Sequence, residues 1–181
     1  SAASDVYKRQ GIYDVRIERV LGSLTDHYSP REKVLRLSDS VYGSTSVAAI
    51  GVAAHECGHA IQHAKGYVPL AFRSAVIPVV NIGSTLSWPV ILLGLIFGWT
   101  GLIDVGIILF SLVVLFQFIT LPVEFNASGR ALSILRERNI LYGQELDASR
   151  KVLIAAALTY VAALVSSILQ LLRLVLLRRR R

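Results

Sequence analysis

Three residues near the middle of the first half of the chain, His55, Glu56 and His59, form the pattern H-E-x-x-H. On a helix, positions i and i+4 lie on one face, so both imidazoles can bind the same Zn²⁺. The glutamate beside the first histidine can then act as a general base toward a zinc-activated water. Residues 47–54 and 60–64 contain no proline and are rich in alanine, which predicts the helix that this chemistry requires.

A catalytic zinc ion needs a third protein ligand and keeps one position for water. The candidates after the motif are His63, Glu124, Glu137, Glu145 and Asp147. His63 lies one further turn along the same helix, and three successive turns of a straight helix do not readily converge on one ion. Glu124 follows Pro122, where an apolar run is predicted to end and a new helix to begin. Glu124 is therefore the predicted third ligand, and the alternative is a glutamate that favours the helix dipole.

The second half of the chain is too apolar for an ordinary soluble domain. Hydrophobic residues make up 54% of the 181 residues, and runs 75–99, 105–123 and 152–172 contain no charged residue. Each run has at least about 18 residues, which is the length that a helix needs to cross a bilayer. The alternative, three buried core helices, requires more soluble core than one short domain provides. We therefore predict an integral membrane protein with about three transmembrane helices, the first kinked or interrupted at Pro78 and Pro89.

The part before the motif predicts a small antiparallel sheet, because polar and apolar residues partly alternate there. The candidate strands are 14–20, 24–28 and 33–38. The predicted fold class is a mainly α membrane protein with a zincin-like H-E-x-x-H helix. We expect residues 1–10 to be irregular or vector-derived, 11–177 to form one membrane-embedded metallopeptidase domain, and 178–181 to be a basic tail. Residues 127–139 predict an exposed helix.

The net charge of +7 does not indicate nucleic-acid binding, because no pattern of interleaved basic and aromatic residues occurs. The terminal arginines follow an apolar helix, a position that suits lipid headgroups. The predicted turn 99–104 has no Lys or Arg, so the positive-inside rule predicts a cytoplasmic active site. The terminal arginines oppose this orientation if the last helix spans the membrane. The predicted cytoplasmic side, which carries the motif, has more basic residues near the membrane ends: Lys65, Arg73, Arg130, Arg136, Arg138, Arg150 and Lys151.

Four strings in order carry a family resemblance: LTDHY at 24–28, AHECGHAIQH at 54–63, LPVEFNAS at 121–128 and ALTYV at 157–161. Together they resemble the YugP-type neutral zinc metallopeptidases of bacterial membranes, which are distantly similar to HtpX-like enzymes. The resemblance covers about residues 11–177. It implies a peptidase of the bacterial plasma membrane with one zinc ion and Glu124 as third ligand. Such proteins usually carry a further membrane segment before the sheet, so we expect this chain to be a fragment.

The predicted function is a zinc-dependent endopeptidase (a hydrolase) that acts on peptides or proteins, including membrane-associated ones. One alternative is a non-catalytic membrane scaffold with a structural zinc. The other is an intramembrane site-2-type protease, but the apolar stretch before His55 is too short to span a bilayer. Further polar residues are predicted to assist the site. Tyr160 and His27 are candidates for oxyanion binding, Asn126 and Arg130 for orienting Glu124, and His63 for a polar contact beside the ligands.

Overall fold

The structure is a computed structural model, and it describes residues 14–179. The predicted fold class is confirmed, since the described residues are mainly helical with one small sheet and three helices apolar and long enough to cross a membrane. The expectations for residues 1–10 and for the end of the basic tail lie outside the described residues. In chain order the elements are β1 (Arg16–Val20), β2 (His27–Ser29), β3 (Val34–Ser38), α1 (Val47–Ala64), α2 (Val68–Ile96), α3 (Thr100–Glu137) and α4 (Gln144–Arg179).

The contacts divide the chain into two compact units. The first unit comprises Ser1–Leu70 and Val123–Ala157, and the second comprises Ala71–Pro122 and Leu158–Arg181. The first unit holds the sheet and α1, and the second holds most of the apolar helical residues. The expectation of one domain over residues 11–177 stays a prediction.

The sheet of the first unit has the order β1-β3-β2. Strand β2 pairs with β3 in the antiparallel direction that the sequence predicts, but β1 pairs with β3 in parallel, so the sheet is mixed. The prediction of an antiparallel sheet is therefore wrong for β1. Strand β3 lies between the other two strands, and four of its five residues are buried, whereas β1 is exposed or half-buried along its length. Alternation along a strand indicates which face is buried and does not indicate the direction of the neighbouring strand.

Helix α1 begins and ends at residues that the sequence marks for these roles. The Ser46 hydroxyl accepts a hydrogen bond from the Ala49 amide, which satisfies one free N–H of the first turn. Gly66, with φ +62°, follows the end of the helix in a conformation that favours glycine. One face of α1, including Cys57 and Ile61, packs into a core cluster with β3 residue Leu35. This cluster fixes the motif helix against the sheet.

In the second unit, α2 and the first part of α3 form an antiparallel helical hairpin. Glycines allow close contact: a Cβ on Gly106 would lie 2.3 Å from Ile91 Cγ1, and one on Gly94 would lie 2.8 Å from Ile103 Cγ1. Helix α2 continues through both of its prolines, so an interruption there is wrong, and the alternative of a kink stays a prediction. A proline removes one helical hydrogen bond, and a long apolar helix tolerates that loss. Near the turn, Arg178 donates two hydrogen bonds of 2.8 and 3.0 Å to the Asp104 carboxylate.

Helix α3 is continuous through Pro122, so the prediction that Glu124 begins a helix is wrong. Its alternative, a glutamate at a helix N-terminus, is wrong for the same reason. Val123, Ala127 and Ala131 recur at helical spacing and are fully buried, and their packing maintains the helix past the proline. The predicted exposed helix over 127–139 is instead the C-terminal part of α3, and one of its faces is buried.

Candidate metal centre

A glycine inside the motif sets the distance between α1 and the C-terminal part of α3. A Cβ built on Gly58 would lie 2.5 Å from the Ala127 carbonyl oxygen and 3.1 Å from the Ala127 Cα. Any side chain at position 58 would therefore push the backbone of α3 away. This contact places the face of α1 that carries the histidines beside the face of α3 that carries Glu124.

The structure brings three of the predicted ligands together at this contact. The Nε2 atom of His55 lies 3.1 Å from Glu124 Oε2, and the Nε2 atom of His59 lies 3.6 Å from the same oxygen. One ligand atom from each of the three residues lies within 4.8 Å of the others. The two imidazole rings are nearly perpendicular, with their centroids 4.8 Å apart. Among residues 14–179, no other group of three or more His, Cys, Asp or Glu side chains converges in this way.

The donor set fits a zinc ion. Two imidazole nitrogens and one carboxylate oxygen are the ligands that catalytic zinc takes in proteins, and the Glu124 side chain is only 2% exposed. A carboxylate buried to that degree requires compensating positive charge. Burial alone would lower the pKa of His59, but its hydrogen bond to Glu124 and the charges of Glu56 and Glu124 raise that pKa.

Each histidine uses its second ring nitrogen to contact another side chain. The Nδ1 atom of His55 lies 3.1 Å from Ser128 Oγ, and the Nδ1 atom of His59 lies 2.9 Å from Gln62 Oε1. Such contacts hold the ring in place and leave Nε2 directed toward the metal position. Sequence reasoning missed both Gln62 and Ser128. The available signal was helical spacing, since Gln62 follows His59 by three residues and Ser128 follows Glu124 by four.

Asn126 and Arg130 lie close to the centre, and their contacts lead to His59 through Gln62. The side chain of Gln62 donates to Val123 O at 2.8 Å and to Asn126 Oδ1 at 3.0 Å. Arg130 Nε donates to the same Asn126 oxygen at 2.7 Å. The predicted role of these two residues in orienting Glu124 stays a prediction. The contacts that the structure shows for them run to the second histidine.

Three other predicted residues have different surroundings. His63 Nδ1 lies 2.8 Å from the Tyr28 hydroxyl, so this pair joins α1 to β2. His27 is exposed, and its Nδ1 lies 2.8 Å from the carbonyl oxygen of Thr25. Tyr160 lies on α4 in the second unit and is 39% exposed. The oxyanion roles of His27 and Tyr160 stay predictions.

The general-base candidate Glu56 and its neighbour Cys57 are both buried. Glu56 is 8% exposed and lies on the same helix between the two histidines. Cys57 is fully buried in the core cluster. Burial, followed by the charge of Glu56, raises the pKa of the Cys57 thiol to about 12, so the thiol stays protonated and unreactive at neutral pH.

Comparisons with known proteins agree with the chemistry of this centre. The sequence profile of a family described as "putative neutral zinc metallopeptidase" matches residues 1–179. A curated protein of Bacillus subtilis (strain 168), "Putative membrane protease YugP", is 50% identical over 167 residues, which cover 92% of this chain and 74% of that protein. No solved structure matches the chain.

Proposed function

The chain belongs to the neutral zinc metallopeptidase family, and on that premise we propose that it is a zinc-dependent membrane endopeptidase. The observation that carries the proposal is the convergence of His55, His59 and Glu124, with Glu56 on the turn between the two histidines. Two neutral imidazoles and one carboxylate would hold the ion and leave a position for substrate and water.

The protein's own residues would then perform the proton transfers. When bound, zinc supplies Lewis-acid polarisation of the peptide carbonyl and lowers the pKa of water. The Glu56 carboxylate accepts the proton of the attacking water and passes it to the departing amine. The half-buried to buried surroundings of the centre strengthen these charge interactions, because little bulk water screens them.

Two alternatives have less support. A scaffold with a structural zinc has no use for a buried glutamate beside its ligands, and Glu56 occupies that position. An intramembrane site-2-type protease carries its motif inside a spanning helix. Here α1 has 18 residues, is not among the three helices apolar enough to span, and packs against a sheet.

The substrates and the orientation are also part of the proposal. We propose peptide or protein substrates that include membrane-associated ones, no nucleic-acid partner, and an active site on the cytoplasmic face of a bacterial plasma membrane. The absence of Lys and Arg from residues 99–104 supports this orientation. The ion pair between Arg178 and Asp104 opposes it, because it holds one of the terminal arginines near that turn.

Substitution of Glu56 tests the catalytic part. Glu56→Gln keeps nearly the same volume but cannot accept the proton of water, so we expect unchanged zinc content and loss of nearly all casein hydrolysis. Glu137→Gln, an exposed change on α3, is the matched control and is expected to behave as the wild type. Full hydrolysis by purified Glu56→Gln protein would contradict the mechanism.

Substitution of Glu124 tests the ligand set. Glu124→Ala is expected to lose zinc affinity to a degree similar to His59→Ala, while Glu137→Ala retains it. If Glu124→Ala binds one zinc per chain as tightly as the wild type, Glu124 is not a ligand.

A further inference from the structure

A chain of hydrogen bonds leads from Arg130 to the second zinc-ligand candidate. Arg130 Nε lies 2.7 Å from Asn126 Oδ1, Asn126 Oδ1 lies 3.0 Å from Gln62 Nε2, and Gln62 Oε1 lies 2.9 Å from His59 Nδ1. Arg130 and Asn126 also line an open groove of ≈ 500 Å³, whereas Gln62 is fully buried. The chain of contacts therefore connects a solvent-facing cation with the metal centre.

The donor and acceptor roles in each hydrogen bond between Arg130 and His59 follow from the chemistry of the guanidinium group. Arginine has only N–H donors, so the Asn126 atom that faces it must be the amide oxygen. That oxygen, together with the carbonyl oxygen of Val123 at 2.8 Å, must receive N–H groups from Gln62. The remaining Gln62 atom, which faces His59, is then an oxygen and can only accept. The proton of a neutral His59 ring is therefore on Nδ1.

This proton position matters because the competing tautomer cannot bind metal through Nε2. Glu124 Oε2 lies 3.6 Å from His59 Nε2 and, when no metal is bound, would attract the ring proton to that nitrogen. The Gln62 oxygen is closer to the ring, at 2.9 Å from Nδ1, and draws the proton to the opposite side. If the Gln62 amide rotated, its NH₂ group would face Nδ1 and the proton would move to Nε2.

The contact at Nδ1 of the other histidine, His55, differs from that of His59. His55 Nδ1 faces the Ser128 hydroxyl, which can either donate or accept a hydrogen bond. The orientation of that hydroxyl therefore does not select one tautomer of His55. Of the two histidines, His59 is therefore the one whose Nδ1 faces an atom that can only accept a hydrogen bond.

We propose that Arg130, Asn126 and Gln62 are positioning residues that hold His59 in the Nδ1–H tautomer and thereby prepare Nε2 for zinc. This inference rests on the proposed zinc site but is independent of peptide hydrolysis. It predicts that zinc affinity depends on the acceptor character of position 126, since an oxygen there is what orients the Gln62 amide.

Two isosteric changes at position 126 test the proposal. Asn126→Asp keeps an oxygen toward both Arg130 and Gln62, so we expect zinc affinity within a few-fold of the wild type. Asn126→Leu has the same branching at Cγ but no acceptor, and we expect zinc affinity to fall by about 10-fold to 100-fold, the range for partners of metal-bound histidines. Arg130→Met is expected to act in the same direction with a smaller loss. Ser133→Ala, which lines the same groove outside the hydrogen-bond chain, is the control.

The tautomer itself provides a measurement that a purely structural role would not change. The chain has four histidines, so ¹⁵N-histidine labelling gives few ring signals, and the His59 signals are assigned by substitution. In metal-free wild type and Asn126→Asp at a pH where the ring is neutral, we expect a protonated Nδ1 and an unprotonated Nε2. In Asn126→Leu we expect a population with the proton on Nε2. Thermal unfolding of each variant shows that the comparison is made on folded protein.

The outcomes separate this proposal from the proposed function. If the wild type binds no zinc, the proposed function fails. If the wild type binds zinc but Asn126→Leu binds it equally well and keeps the same ring signals, only the positioning role is overturned. An equal loss of affinity in Asn126→Asp and Asn126→Leu would also overturn it, because acceptor character would then be irrelevant.

Discussion

Replacing Gly58 by alanine tests whether the contact between α1 and α3 sets the geometry of the metal centre. The added Cβ would lie 2.5 Å from the Ala127 carbonyl oxygen, whereas ordinary contacts begin at 3.4 Å, so the helices must separate by up to about 0.9 Å (3.4 − 2.5). The neighbour is backbone and cannot rotate away. The His55–Glu124 distance, now 3.1 Å, would then approach about 4 Å, and zinc ligands tolerate deviations of only about 0.2 Å.

The size of the effect follows from the cost of overpacking a well-packed contact. That cost is about 1–3 kcal/mol, which corresponds to a loss of zinc affinity between about 5-fold and about 140-fold if the metal-bound form carries the strain. If the metal-free form is strained too, part of the cost instead lowers the free energy of unfolding of the metal-free protein. Zinc affinity from competition with a chromophoric chelator, together with thermal unfolding of the metal-free protein, measures both parts.

Gly129→Ala is the matched control for this experiment. Gly129 also lies in α3, and a Cβ there would have no neighbour within 4 Å. Alanine is the better helix former, so this variant is expected to bind zinc normally and to be slightly more stable. Equal zinc affinity and equal stability for Gly58→Ala and Gly129→Ala would refute the argument that close helix contact positions Glu124.

Three further results are expected. A Cβ on Gly51 would lie 2.5 Å from Ser149 Oγ but 3.6 Å from Ser149 Cβ, and this buried hydroxyl has no hydrogen-bond partner in the described part of the chain. Ser149→Ala should therefore raise the free energy of unfolding by about 1 kcal/mol. Gly51→Ala should be destabilising alone but tolerated in the double variant with Ser149→Ala, and strictly additive free energies of unfolding would contradict this contact. Burial raises the pKa of Tyr28 from 10.0 to about 12, so the unfolded chain releases the phenol proton first and stability falls as pH rises through that window. Tyr28→Phe removes this alkaline loss, and denaturant midpoints at about pH 9 and about pH 11 check it. For orientation, Leu102→Cys in intact cells should react with an impermeant thiol reagent while buried Cys57 does not, and protection of position 102 would reverse the assignment.

The local parts of the candidate site could be predicted from the sequence because they depend on one helix. The i, i+4 spacing of His55 and His59 and the serine cap of α1 are properties of neighbouring residues. Glu124 could also be identified, but for a partly incorrect reason. It was expected at a helix start after Pro122, whereas buried packing of Val123 and Ala127 carries α3 through that proline.

The parts that could not be predicted depend on how separate elements meet. The alternation of polar and apolar residues does not indicate that β1 pairs with β3 in parallel, because alternation depends on the buried face and not on the direction of the neighbouring strand. The role of Gly58 requires knowing that the α3 backbone passes beside it. Gln62 appears in the sequence as an ordinary helical glutamine, and its importance comes from the acceptors that α3 places around its amide.

The continuity of α3 has a consequence for biosynthesis. The two histidines are translated first, and Glu124 follows 65 residues later (124 − 59), after α2 and the first part of α3. A nascent chain that has produced α1 therefore has two of the three candidate metal ligands, His55 and His59, but not yet Glu124. Glu124 follows only when the apolar hairpin has been made, so the three side chains that could hold a metal meet only after that hairpin exists.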